Sequence, residues 1–423
     1  MNVFNRSWLL VALAAAVALL PFGRMTEIPL LCLSIFGVIA LKRWSLVVVK
    51  SENHSQWRLL GLLFLSFWLP MLLSLSDAVT PEKSQITTLG ALRYPLFVAG
   101  LLWWYQTSAD RAPAQDALLS RFGCAVTILL CIWCADALLQ FLTGSNLLGY
   151  GRGEGYVNGL FGDDDNVKFG LCLALLFPVG FLYLQARKGF GYLAAFTAVC
   201  LLLVVLSGKR AAWIVMLVEL LCLALFFMWS GQASKRVLQL ALVAVLAISM
   251  AYVSSDWVRQ RSDVLVSAAA SRDYETLNAA SGKRLPIWGT ALRMGEDHWL
   301  NGVGPRGFRY AYADYARDGD RWMRPSSVGG SKASHAHQLL LELWAETGAF
   351  GLLGYLCMLI VLARAWRHAD ATARRRALPF GVALVGMLFP LNTHPAWYSS
   401  FSASLLWFFI GLYLFALCRE PAR

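Results

Sequence analysis

The sequence predicts an all-α integral membrane protein with about twelve transmembrane helices and a large, partly helical loop between the ninth and tenth. Three observations support this. The 423 residues are 58% hydrophobic and only 15% charged. Apolar runs long enough to cross about 30 Å of hydrocarbon recur along the chain. The basic residues lie mostly in short gaps between the runs, so the formal charge of +12 indicates membrane topology rather than a nucleic-acid partner.

Each predicted span is one apolar run. The runs cover residues 8–22, 27–41, 57–75, 89–105, 122–142, 169–186, 191–207, 211–230, 237–253, 338–363, 377–391 and 399–418. Because their number is even, both termini are predicted on the same side of the membrane.

The basic residues orient these spans. If the N-terminus is cytoplasmic, every cytoplasmic gap carries base, as the positive-inside rule requires. These residues are Lys42, Arg43, Lys50, Arg58, Arg111, Arg121, Arg187, Lys188, Lys235, Arg236, Arg364, Arg367, Arg374, Arg375 and Arg376.

One polar segment is too long and too charged to insert in lipid. It covers residues 254–336 and would form an external domain. The predicted organisation is therefore spans one to nine in 1–253, the loop domain in 254–336 and spans ten to twelve in 337–423.

Metal ligands are not evident in this pattern. All nine cysteines lie in or beside apolar runs, so neither a disulfide framework nor a zinc site is expected. The consecutive acids Asp163, Asp164 and Asp165 could bind Mg²⁺ or Ca²⁺, but we interpret them as a solvated external loop.

A short external turn departs from the charge rule. Lys209 and Arg210, in the sequence SGKR, lie between predicted spans seven and eight, where external turns rarely carry base. Their long side chains could reach lipid headgroups, or they could bind an anionic ligand. Guanidinium groups suit phosphate oxygens because the planar fork donates hydrogen bonds in pairs.

The external loop offers further cations. Arg284 and Arg293 flank an amphipathic stretch, GKRLPIWGTALRM, that is expected to lie on the bilayer surface. Arg306 follows in GVGPRG, a tight turn whose backbone amides could approach a ligand or could simply form a turn.

A histidine pair precedes the tenth predicted span. His335, His337 and Gln338 stand in SHAHQ, which places an imidazole at a helix N-terminus and at the membrane interface. We expect the two imidazoles to point in different directions because residues i and i+2 of a helix do. His337 could cap the helix or accept a proton.

These motifs together resemble the O-antigen ligase family and the wider superfamily of ligases and polymerases. His337-Gln338 is followed after nine residues by Gly348 and after two more by Gly351. The order of the other parts is also similar: GLFGDDDN, SGKR, RLPIW, GVGP and then the histidine, which together cover most of residues 155–355.

The resemblance implies a metal-independent and cofactor-free glycosyltransferase in the bacterial inner membrane, active on the periplasmic face. Its partners would be an undecaprenyl diphosphate-linked glycan donor, the lipid A-core acceptor and membrane lipids. His337 would be catalytic. Substrate would be bound by Arg210, Arg284, Lys209, Arg293, Arg306, Gln338 and His335.

Other functions remain open at this point. An O-antigen polymerase or a protein O-oligosaccharyltransferase would use the same lipid-linked donor with another acceptor. A transporter could also have twelve helices, but the two halves show no repeat and we expect no buried acid pair of the kind used for ion coupling.

Overall fold

The computed structural model describes residues 6–42, 54–108, 110–152, 156–162, 168–187, 189–231, 234–271, 273–393 and 396–419. Within these ranges the chain forms α-helices and short 3₁₀ turns, and no β-strand. The all-α prediction is therefore confirmed. The helices are α1 (Arg6–Ala18), α2 (Glu27–Lys42), α3 (His54–Leu73), α4 (Pro81–Gly90), α5 (Arg93–Thr107), α6 (Arg111–Thr143), α7 (Phe169–Arg187), α8 (Phe190–Leu206), α9 (Arg210–Trp229), α10 (Ser234–Ser254), α11 (Asp256–Ser271), α12 (Tyr274–Ser281), α13 (Leu285–Asp297), α14 (Phe308–Tyr315), α15 (Leu339–Arg367), α16 (Ala371–Leu388) and α17 (Ser400–Ala416).

The chain is a multi-pass membrane protein. Each of the twelve predicted apolar runs overlaps one of these helices. In the described ranges, six helices are long and apolar enough to cross a bilayer, or seven if the bent pair Leu238–Ser254 and Asp256–Ser271 counts as one span. Four further apolar helices, α1, α2, α8 and α17, are shorter. The count of twelve spans stays a prediction.

The helices group into two compact units, each assembled from several chain segments. The first unit contains Met1–Cys32, Ala112–Ala270 and Leu378–Asn392. The second contains Leu33–Arg111, Ser271–Ala377 and Thr393–Arg423. The predicted external loop contributes its first part to the first unit and the rest to the second.

In the first unit, α7 is the central helix. It is buried along most of its length and packs against α8 and α9. Phe177 of α7 stacks on Phe196 of α8, with ring centroids 5.9 Å apart. Leu206, at the end of α8, accepts a hydrogen bond from the backbone N–H of Val157 (3.0 Å). The loop before α7 is thereby fixed beside the turn that leads into α9.

In the second unit, α15 packs along α3, and the short helices of the external loop pack against the first half of α15. The apolar side of α13, formed by Ile287, Ala291 and Met294, is completely buried with Tyr312 of α14 and Ala345 of α15. This corrects the expectation that the amphipathic stretch lies on the bilayer surface. Its apolar side is covered by protein because α13 folds back onto α15.

Candidate active site

His337 stands directly before α15 in a strained conformation. Its φ of 53° lies in the left-handed region, which residues other than glycine rarely adopt. The next residue, Gln338, caps the helix because its side-chain Oε1 accepts a hydrogen bond from the N–H of Leu341 (2.6 Å). Strained residues of this kind concentrate at functional sites, where the surrounding structure holds them. The imidazole is thus fixed at the positive end of a helix.

The His337 imidazole is electrically neutral. Burial first, and the nearby Arg284 guanidinium second, lower the pKa of His337 from its ordinary value of 6.5 to about 3. At neutral pH the ring therefore has a lone pair on one nitrogen that can accept a proton.

The His335 ring lies against the His337 ring, with centroids 3.8 Å apart and planes at 46°. The expectation that the two rings point in different directions is wrong. It assumed helical backbone, whereas the left-handed φ of His337 turns its side chain toward the ring two residues earlier. His335 Nδ1 lies 2.8 Å from the Ser334 hydroxyl. His335 is buried and supports the face of the His337 ring.

Arg284 caps the N-terminus of α13. Its backbone N–H donates to the Ser281 hydroxyl (3.1 Å), and its carbonyl accepts from the N–H of Trp288 (3.0 Å). Burial lowers the pKa of the partly buried guanidinium because charge is costly away from water. A cation at a helix N-terminus is also opposed by the helix dipole, which favours an anion there. An anionic ligand would relieve both costs.

Arg306 lies in a turn that is bound to α15. Its backbone N–H donates to Glu346 Oε2 (2.8 Å), and the N–H groups of Val303 and Gly304 donate to the carbonyls of Ala345 (2.9 Å) and Glu346 (3.0 Å). The sequence left open whether these amides could approach a ligand. They do not, because groups of α15 accept their hydrogen bonds. Arg306, like His337, has a left-handed φ, here 65°.

The two glycines after the histidine stand where α15 leaves no room for a side chain, and the first of them lies at a break in the helix. Gly348 has a φ of 58°, and a Cβ added there would lie 2.5 Å from the carbonyl carbon of Leu300. A Cβ at Gly351 would lie 2.0 Å from the Thr347 hydroxyl oxygen. The break lets the Ala349 N–H donate to the Trp299 carbonyl (2.8 Å). The spacing of the histidine motif therefore corresponds to a kink in α15, and the external loop packs against the helix at this kink.

A pair of carboxylates was missed by the sequence analysis. Glu342 and Glu346 are both buried in the first half of α15, which contradicts our expectation that no buried acid pair is present. Glu342 Oε1 accepts from the N–H of Trp397 (2.6 Å). Glu346 Oε1 has no hydrogen-bond partner among the described residues, although Arg306 and Arg309 interact with this carboxylate electrostatically. Two acids four residues apart in an apolar run were the available signal.

Arg293 holds the external loop together. Its Nε donates to the carbonyl of Tyr315 (2.8 Å) and its Nη2 to the Thr290 hydroxyl (3.0 Å). These bonds connect α13 to the end of α14. They leave the Nη1 group at the edge of an open cavity beside Gly289.

Lys209 and Arg210 belong to the first unit. Lys209 is the residue before α9, and its Nζ lies 4.6 Å from the centroid of the Tyr156 ring, in cation–π geometry. Tyr156 in turn contacts Trp257, with centroids 6.3 Å apart. Arg210 is the first residue of α9 and is half-buried. Two cations therefore occupy a helix end that favours anions.

The second unit thus brings together Arg284, Arg306, His335, His337 and Gln338 around the start of α15, with Arg293 farther along α13. Asp163, Asp164 and Asp165 lie outside the described residues. In the part of the chain that is described, no group of three or more His, Cys, Asp or Glu side chains is arranged to hold a metal ion. The chemistry available near His337 is that of a neutral imidazole, guanidinium groups and a carboxylate pair.

Comparisons with known proteins point to one family. Residues 193–356, from α8 into α15, match the O-antigen ligase family. The matched segment contains every predicted site residue, from Lys209 to Gln338. A search of curated proteins found no match. Residues 193–356 are thus similar to the O-antigen ligase family, a family of glycan-transferring enzymes.

Proposed function

We propose that this protein transfers O-antigen polysaccharide from undecaprenyl diphosphate to a sugar hydroxyl of lipid A-core, on the periplasmic face of the bacterial inner membrane. The observation that carries the proposal is the neutral imidazole of His337 beside Arg284, inside the segment that matches the family. A proton acceptor next to a cation suits the attack of a hydroxyl group on a sugar bound to a diphosphate.

The transfer is a displacement at the anomeric carbon of the donor. The acceptor hydroxyl oxygen forms a bond to that carbon, and the bond from the carbon to the diphosphate oxygen breaks. Undecaprenyl diphosphate leaves with the electron pair, and the hydroxyl proton passes to His337. The lipid-linked donor supplies the driving force, so no nucleotide is consumed, and the sequence contains no Walker motif.

Arg284 would neutralise the growing charge on the leaving diphosphate. Lys209 and Arg210 are proposed for the same role from the sequence, with Arg306 and Arg293 contributing to substrate binding. Binding of the anionic donor would compensate the charge of Arg284, which is the second cause of the lowered pKa of His337. The pKa of the imidazole would therefore rise when donor is present, and His337 would become a better base in the complex.

Reconstitution of the purified protein tests the reaction. Lipid-linked O-antigen and rough lipopolysaccharide should give a ladder of glycosylated lipopolysaccharide on a gel. Transfer to a second molecule of donor would indicate a polymerase, and transfer to a protein would indicate an oligosaccharyltransferase. Recovery of both unchanged substrates from an intact, donor-binding protein would refute the proposal.

The reaction is proposed to need no metal because arginines supply the positive charge for the diphosphate. Turnover should therefore be unchanged in EDTA. A loss of activity that Mg²⁺ restores would instead assign a metal role, with Asp163, Asp164 and Asp165 as the first residues to substitute.

The orientation is tested separately. A reporter inserted within 273–334 should be periplasmic, and one inserted at Asp370 should be cytoplasmic. A cytoplasmic signal from the first insertion would overturn the proposed face of the active site.

A further inference from the structure

The second unit contains a cavity to which the proposed reaction assigns no particular part of the substrate, although Arg293 lines it. It has a volume of about 370 Å³, which is large enough for a small organic ligand. It lies between the start of α12, the outer side of α13 and the loop after α14. The side chains that carry its chemistry are those of Tyr274, Arg293, Arg317, Asp318 and Asp320.

The floor of the cavity is one side of α13. Leu285, Gly289 and Arg293 follow at intervals of four residues, so they lie along the same side of this helix. A Cβ added to Gly289 would meet only Arg293 Nη1, at 3.5 Å. Glycine therefore leaves the floor open, and a Cβ added there would not strike the backbone.

Two of the polar side chains that line the cavity, those of Asp320 and Arg293, are held in place by hydrogen bonds. Asp320 Oδ2 accepts from the Tyr312 hydroxyl (2.7 Å), and its Oδ1 accepts from the N–H of Trp322 (2.9 Å). The Asp320 N–H donates to the Arg317 carbonyl (3.1 Å), which closes the turn that carries Asp318. Arg293 is fixed through Nε and Nη2, as described above. A binding site with groups fixed in advance loses little entropy when ligand binds.

The lining selects one kind of ligand. Two arginines and two aspartates line the cavity, so a phosphate group would meet repulsion as well as attraction. A sugar ring suits both charges, because its hydroxyl groups donate to carboxylate oxygens and accept from guanidinium groups. The Tyr274 ring, which is 58% exposed, offers a flat apolar surface for the C–H side of a pyranose.

The cavity begins at the end of α13 where Arg284 is proposed to bind the diphosphate of the donor. Arg284 is the N-cap residue of α13, and Leu285, the first residue of this helix, lines the cavity. We propose that the cavity binds a sugar residue of the lipid-linked glycan close to its diphosphate, and that it contributes to the choice of donor. This inference rests on the proposed transferase function.

The test compares binding of two lipids to the full-length protein in nanodiscs. One is the lipid-linked glycan extracted from the organism that encodes this chain, and the other is undecaprenyl diphosphate without sugar. The wild-type protein should bind the glycosylated lipid more tightly. Gly289→Leu should weaken its binding about tenfold, the effect of losing one or two hydrogen bonds, and leave the binding of sugar-free lipid unchanged.

Two further variants guard against a folding defect. Asp318→Ala and Tyr274→Ala change exposed side chains and should each reduce the preference for glycosylated lipid. Ala313→Leu places the same leucine side chain at an exposed position of α14 outside the cavity, and it should behave as wild type.

The outcomes separate the two proposals. If wild type binds both lipids equally, or if the three cavity variants keep the preference, the sugar site is refuted while the diphosphate site and the transferase proposal stand. If wild type binds neither lipid, the proposed function fails and the sugar site fails with it.

Discussion

The N-termini of α9 and α13 both carry cations, and they differ in what surrounds the charge. At α9, Lys209 lies over the Tyr156 ring, so part of the positive charge already has an aromatic partner within the first unit. At α13 in the second unit, Arg284 is partly buried, has no aromatic or acidic partner among the described residues, and lowers the pKa of His337. From this comparison we expect Arg284 to act on the substrate and Lys209 mainly to stabilise the turn before α9.

His337 should show the largest effect. Positioned bases contribute about 10² to 10⁴ in rate, so His337→Ala should lower kcat by a factor in that range and leave donor binding unchanged. The measurement is single-turnover transfer together with donor binding in nanodiscs. His335→Ala should cost less, because that residue supports the ring from one side and contacts no reacting atom.

A second substitution separates a base from an orienting group. His337→Gln can hydrogen-bond the acceptor hydroxyl but cannot become a cation by taking its proton. If His337→Gln turns over at a near-normal rate, the base role is lost and only an orienting role remains.

Arg284 should show the next largest effect. Loss of one group that stabilises a leaving oxyanion costs about 10² to 10³ in rate, which we expect for Arg284→Ala. Arg284→Lys should recover part of it, because a point charge lacks the paired donors of a guanidinium. Wild-type turnover in Arg284→Ala would remove this residue from the site.

The same substitution tests the electrostatic link through pH. With a pKa of about 3, His337 stays neutral in the free wild-type protein from pH 7 to pH 5, and kcat/KM should not fall there because of its protonation. Removing the Arg284 cation raises the pKa of His337, so the acidic limb of the profile should move to higher pH. The move is partial, because burial is the larger cause and remains. An unshifted limb would show that Arg284 does not act on His337.

Glu346 should show an intermediate effect, because it holds the turn that contains Arg306. Glu346→Ala removes the acceptor of the Arg306 N–H and should cost about 1–3 kcal/mol of stability, seen as a lower unfolding temperature in detergent. Glu346→Gln keeps an oxygen that can accept this bond and should retain more stability. Equal stability of both variants with wild type would show that the turn is held by the backbone bonds alone.

The elements that were predictable from the sequence and those that were not differ in their physical origin. Apolar runs are a local property, so each of the twelve predicted runs overlaps a helix, and the motif from Lys209 to Gly351 indicated the family that residues 193–356 match. The break at Gly348 and the left-handed backbone of His337 depend on contacts distant in sequence. For that reason the contact between the imidazoles of His335 and His337 was predicted wrongly. The buried Glu342 and Glu346 had a local signal, two acids in an apolar helix, which we did not use.

The smallest effect is expected at α9, and it tests the opening comparison most directly. Lys209→Ala should reduce turnover only a few-fold, because its ammonium group lies over Tyr156 and a cation–π contact of this kind is worth about 0.5–1 kcal/mol. Arg210→Ala should cost more than Lys209→Ala if Arg210 binds the diphosphate. Tyr156→Leu is the matched control: it removes the aromatic partner and keeps both cations, so a loss equal to that of Lys209→Ala assigns the lysine to the structure of the turn. If Lys209→Ala instead costs as much as Arg284→Ala while Tyr156→Leu is active, the lysine acts on substrate. The two helix ends would then be equivalent in function despite their different surroundings.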